Sequence, residues 1–108
     1  MDIQLKKGML DACVLAVLKR EDSYGYKLIQ EISAVMEISE STLYPVLRRL
    51  EAIESLATYT QEYGGRLRKY YKLTEQGKAK LDDFKKEWLD VKKVVDYILE
   101  EGSVNEQN

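Results

Sequence analysis

Six apolar residues in the last third of the chain, Leu81, Phe84, Trp88, Val91, Val95 and Ile98, follow one another at intervals of 3, 4, 3, 4 and 3. This is the heptad pattern of a helix whose apolar seam has to be covered by another helix. A chain of 108 residues has room for one compact core. The seam therefore predicts pairing of two copies of the chain along residues 74–101, with Thr74 capping the helix. The polar residues 102–108 read as a disordered tail.

The rest of the pattern fits in residues 1–73 as one small domain. Ile3 to about Arg20 is apolar over most of a helical circumference, so that helix needs cover on several sides. Glu21-Asp22-Ser23 breaks it, with Ser23 available to cap a second helix from about Tyr24 to Met36. After Glu37-Ile38-Ser39, with Ser39 or Ser41 as the cap, a third helix is expected to end near Glu54. Leu43, Val46, Leu47, Leu50 and Ile53 form its inward stripe, and Ser41, Pro45, Arg48 and Ala52 form its outward face. Pro45, the only proline, removes one backbone hydrogen bond near the helix start. Two runs rich in β-forming residues, Leu56 to Tyr63 and Arg68 to Leu73, flank Gly64-Gly65 and read as a hairpin. In the second run, alternation places Tyr71 and Leu73 towards the core. The fold class expected is mainly α with a two-stranded β wing: a winged helix-turn-helix followed by a long dimerisation helix.

Composition narrows the chemistry. The chain has no histidine and one cysteine, Cys13, inside an apolar helical run. The commonest general base, the usual zinc and haem ligands and an internal disulfide are thereby excluded, and Cys13 reads as a small core residue. There is no glycine-rich phosphate loop, and the carboxylates lie among lysines on helical faces. No enzyme activity, metal or cofactor is expected. No apolar run approaches the ~20 residues of a membrane span, and the N-terminus lacks the pattern of a secretory signal. A cytoplasmic location is the expectation.

The net charge is −2, but the charge is segregated. Residues 56–73 hold Arg66, Arg68, Lys69 and Lys72 against Glu62, a balance of +3, whereas residues 21–38 hold Lys27 against four acids, a balance of −3. Cations at a glycine-flexible hairpin tip suit phosphate clamping or entry into the minor groove. On the third helix, Ser41, Thr42 and Tyr44 lie near the N-terminus, where hydroxyls and free amides favour phosphate oxygens. Arg48 or Arg49 can reach a guanine edge or a further phosphate.

Four stretches then resemble the PadR-like family of transcriptional regulators, in its short subfamily with a single C-terminal helix. They are Ser23-Tyr24-Gly25-Tyr26, the run from Ser41 to Glu51 (STLYPVLRRLE), the run from Gly65 to Thr74 (GRLRKYYKLT), and Gly77. The resemblance extends to about Leu99. It implies cytoplasmic homodimers that sit on inverted-repeat promoter sites and usually repress. Carried onto this chain, it puts the contacts to double-stranded DNA on Tyr24 or Tyr26, Ser41, Thr42, Tyr44, Arg48, Gly65, Arg66, Arg68 and Lys69. The final helix, together with the first, would form the dimer. The chain departs from the family in having Ser41, Glu54-Ser55 and Leu67 where glycine, glycine and proline are frequent.

Trp88 on the seam has two readings. It is either a large interface plug like Phe84 or, as in some short PadR-like proteins, half of a paired-indole site for a flat aromatic or cationic effector that releases the DNA. Asp82, Asp83, Glu87 and Asp90 are the nearby acids that would favour a cation. The rival to DNA binding is a winged-helix adaptor that uses the same face for another protein, which the net acidity favours.

Overall fold

The computed structural model describes residues 2–100; the expected tail, residues 102–108, lies outside the described residues. The elements run α1 (Ile3–Arg20), β1 (Ser23–Tyr24), α2 (Gly25–Ser33), α3 (Glu40–Ala52), β2 (Leu56–Tyr63), β3 (Arg66–Leu73) and α4 (Glu75–Leu99). This is a winged helix with a long helix appended.

Local chemistry sets the ends of most elements. The Asp2 carboxylate accepts the amide of Leu5 and caps α1, while Lys19 and Arg20 meet the negative end of its dipole. Thr74 accepts the amide of Gly77 at 3.0 Å and caps α4, as its position predicts. The wing closes through a two-residue turn, Gly64-Gly65, with φ of 59° and 80°. Positive φ at both positions is what a type I′ hairpin turn requires. Tyr63 faces Arg66 across it, and the ladder continues in register to Leu56 opposite Leu73.

The expected two-stranded wing is the β2–β3 hairpin, and β1 adds to β3 to give the order β1-β3-β2, with Ser23 opposite Tyr71 and Tyr24 opposite Tyr70. Two local expectations need correction. Ser23 accordingly spends its backbone in the sheet rather than capping α2. Its hydroxyl is buried with no partner among the described residues, and α2 starts after Tyr24 without a side-chain cap. Finally, α2 ends at Ser33, short of Met36, in a tightened last turn where the amides of Ala34 and Val35 bond the carbonyls of Glu31 and Ile32 three residues back.

The core is formed by Leu10, Val14, Leu15 and Leu18 of α1, Leu28 and Ile32 of α2, and Leu43, Val46, Leu47 and Leu50 of α3. Leu56, Tyr71 and Leu73 of the sheet and Leu81 of α4 complete it. Tyr71 and Leu73 are thus core residues, as alternation predicts. Leu81, the first residue of the seam, is only 3% exposed within its own chain. Phe84, one turn on, also packs against the chain's own core. Beyond it the helix leaves the domain: at ~1.5 Å per residue its 25 residues span ~37 Å, and the molecule is 63 Å long but 26 Å and 23 Å across. Val91, Val95 and Ile98 of the seam are exposed there, together with Leu89, Val94, Tyr97 and Leu99.

Candidate nucleic-acid interface

α3 is held by Leu43, Val46, Leu47 and Leu50, while Ile53, expected in the same stripe, is exposed at the helix end; the remaining faces divide into two flanks and a crest. Tyr44 turns towards the wing and lines a cleft of about 360 Å³ with Tyr24, Tyr26, Arg66, Arg68 and Lys69. Six of the residues singled out from the sequence are brought together in this one place. Ser41, Thr42 and Arg49 lie on the opposite flank, in a second cleft against α1. Arg48 is exposed and lines neither. Gly65 lies in the hairpin turn, where its role is conformational.

The wing cations are not equivalent. The Arg68 guanidinium lies over two rings, 4.4 Å from the centroid of Tyr24 and 4.7 Å from that of Tyr63. Such cation–π contacts fix the direction of the side chain without neutralising it. Lys69 Nζ is 3.5 Å from Glu51 Oε1 of α3, and Thr58 of β2 donates to the other oxygen of that carboxylate at 3.0 Å. Glu51 therefore ties both strands of the wing to α3. Arg66, next to the turn, has no carboxylate within ion-pair distance among the described residues and is exposed. A second brace joins the wing to the loop after α1: Tyr59 donates to Asp22 at 2.7 Å, which pushes the phenol pKa up to about 12. Behind it Tyr59, Tyr70 and Tyr24 form a ladder, one pair stacked and one edge-on, each with centroids 5.5 Å apart.

Arg49 is spoken for. Its guanidinium donates to Asp11 Oδ1 at 2.6 Å, a bond that holds its pKa above the usual arginine value. Asp11 is buried in the middle of α1 and needs this partner, because an unpaired buried carboxylate is costly. Arg49 thus joins α3 to α1, and Arg48 is the cation that α3 presents outward. The sequence reading passed over Asp11, Glu51, Asp22 and Tyr59. The available signal was at Asp11, an acid among core-facing residues of an apolar helix.

A helix presenting hydroxyls and an arginine, beside a basic hairpin fastened to it, defines a winged helix-turn-helix regulator of the DNA-binding class. The chain belongs to the PadR-like family of transcriptional regulators, whose sequence profile matches residues 14–83. It is 40% identical to an uncharacterised protein of Lysinibacillus sphaericus over 99 residues, which are 87% of this chain and 91% of that one. Its fold is similar to that of smu.1704 from Streptococcus mutans, with 45% identity, a TM-score of 0.83, and coverage of 87% of this chain and 89% of the other. A PadR family transcription regulator from Clostridium difficile superposes with a TM-score of 0.78 at 32% identity, covering 83% of this chain and 97% of its own. Members of this family are regulators, not enzymes. Among the described residues, no helix is long and apolar enough to cross a membrane.

Proposed function

We propose that the protein is a cytoplasmic repressor that binds an inverted-repeat promoter site as a homodimer. One α3 of the dimer would lie in each of two successive major grooves, and each wing would grip the adjoining backbone. The observation that carries this reading is the cleft beside α3, where Tyr44 and Tyr26 meet Arg66, Arg68 and Lys69. Base-reaching and phosphate-reaching groups thereby share one open face. Tyr24, half-buried beneath Arg68, supports the reading chiefly by aiming that cation.

The exposed apolar half of α4 supports the dimer. So many exposed apolar side chains on one stretch of helix, among them Val91, Val94, Val95, Tyr97 and Ile98, are unusual on a free surface. Beside it lies a groove of about 470 Å³ lined by Met9, Cys13, Ala16, Met36, Phe84 and Trp88, among others. A flat apolar molecule fits the chemistry of this groove. Its charged lining residue is Lys85, whereas Asp82, Asp83, Glu87 and Asp90 do not line it, so it favours a neutral or anionic effector over a cation. Such a ligand and DNA would oppose each other if each preferred a different spacing of the two α3 helices.

The test is selection of bound fragments from genomic DNA, followed by a salt titration of the selected duplex. Steep weakening with salt supports DNA binding through several phosphates. Arg66→Ala combined with Lys69→Ala should abolish binding while leaving the dimer intact. A selection that enriches nothing would favour the protein-adaptor reading. Unchanged binding by the double variant would remove the wing from the interface.

A further inference from the structure

The cleft on the other flank of α3 is the feature of the fold that the wing does not explain. It measures about 430 Å³ and is lined by Lys6 and Lys7 of α1 and by Ser41, Thr42 and Arg49 of α3, over an apolar floor. The Arg49 charge is already matched by Asp11. Lys6 and Lys7 form no ion pair among the described residues, and they stand on the second turn of a helix whose register is fixed by the packing of Leu10 and Val14. Asp2, Asp11 and Glu40, the carboxylates nearest in sequence, do not line the cleft; one Asp2 oxygen is occupied by the Leu5 amide, and Asp11 is paired with Arg49. Across from the lysines, Ser39 Oγ lies 2.9 Å from Ser41 Oγ and 3.2 Å from Thr42 Oγ1, a group of hydroxyls at the start of α3. Two unmatched ammonium groups facing a set of hydroxyl donors suit one ligand chemistry, the phosphodiester oxygen.

Position gives the partner. A helix with its side chains is ~10–12 Å wide and the major groove is ~12 Å wide, so a helix lying in that groove has a phosphate strand along each side. Tyr44 marks the wing side of α3, and Ser41 and Thr42 mark the other. We propose that Lys6 and Lys7, with Ser41 and Thr42, form a second phosphate clamp that holds the DNA strand on the side of α3 away from the wing. The inference rests on α3 being the helix that enters the groove. With both clamps in place, α3 is held from two sides and cannot roll about its own axis in the groove.

The experiment compares full-length wild type with Lys6→Gln/Lys7→Gln, which keeps most of each aliphatic stem, and with Lys6→Arg/Lys7→Arg. The probe is the selected genomic duplex, titrated against salt. Loss of two phosphate contacts should make the plot of log affinity against log salt shallower by ~1.8 and weaken binding roughly 30-fold at 0.15 M salt. The base preference should be unchanged, and the arginine variant should keep the wild-type slope. Hydroxyl-radical footprints of the glutamine variant should lose protection on one strand per half-site while the wing-side protection remains. A glutamine variant with the wild-type slope and footprint overturns the clamp and leaves DNA binding standing. A wild type without salt-sensitive duplex binding overturns both.

Discussion

The phenol of Tyr44 occupies the space that a β-carbon on residue 25 would need. Gly25 opens α2 and Tyr44 lies in the second turn of α3, so this contact sets how closely α2 and α3 approach. Gly25→Ala forces Tyr44 to move or the helices to part, at an expected cost of about 1–3 kcal/mol. Thermal melts followed by circular dichroism read that cost. Adding Tyr44→Ala should recover most of the stability but not DNA binding. Recovery of both would mean that Tyr44 only fills space.

Glu54 ends α3 with φ of 63°, a left-handed conformation that favours glycine. The amide of Glu54 bonds the carbonyl of Glu51, and that of Ser55 bonds the carbonyl of Leu50, which is the double bond of a Schellman cap. Thr74 also donates to the Glu54 carbonyl at 2.6 Å, so the strained residue is fixed to the start of α4. Glu54→Gly should therefore stabilise the fold by about 1 kcal/mol, measured by urea denaturation. A destabilised variant would mean that the Glu54 side chain contributes more than the strain costs.

Arg49 and Asp11 are coupled but unequally exposed, with side chains 49% and 11% accessible. Arg49→Ala leaves a buried carboxylate without its partner, whereas Asp11→Asn leaves an arginine that water can reach. The first should be the more destabilising, and a double-mutant cycle should give a coupling of about 1 kcal/mol, the half-exposed guanidinium tempering it. Equal effects of the two single changes would show that Asp11 finds other solvation.

The bond from Tyr59 to Asp22 makes stability depend on alkaline pH. The phenol pKa is raised in the folded chain, from 10.0 to about 12, first by that hydrogen bond. A raised pKa means the contribution is complete below about pH 10 and is lost as pH climbs through about 12. Tyr59→Phe should thus be less stable than wild type at pH 8, and the gap should close by about pH 12. In an ultraviolet titration of the folded protein, one late-ionising tyrosine should vanish in the variant. A pH-independent gap would show that the bond is absent in solution.

Trp88 is the only tryptophan, so its emission reports on the groove directly. A panel of flat apolar and anionic compounds should quench it and, on the same concentration scale, release DNA. Failure of every compound to quench would leave Trp88 as packing between helices.

Much of the fold was legible because it rests on local periodicity. The stripe Leu43, Val46, Leu47 and Leu50, the Gly64-Gly65 turn and the Thr74 cap each follow from neighbouring residues and a single backbone geometry. β1 was illegible because two residues carry no period; Ser23 and Tyr24 become a strand only when β3 arrives beside them. The candidate site was legible as a set of residue types, and the structure adds how their charges are spent. Arg68 lies on two rings, Lys69 is tethered to Glu51, Arg49 belongs to Asp11, and Arg48 and Arg66 stay outward.

By itself the sequence determined the order of the helices and strands, the basic hairpin, and a closing helix with an apolar side. These follow from preferences a chain expresses within a few residues of itself. Only the tertiary structure decided that Leu81 and Phe84 turn to their own core while Val91, Val95 and Ile98 stand free. It also decided that Asp11 and Asp22 find partners 38 and 37 residues away. Close packing forces each buried charge and each apolar surface to find a specific neighbour, and which neighbour is available depends on how the whole chain has closed.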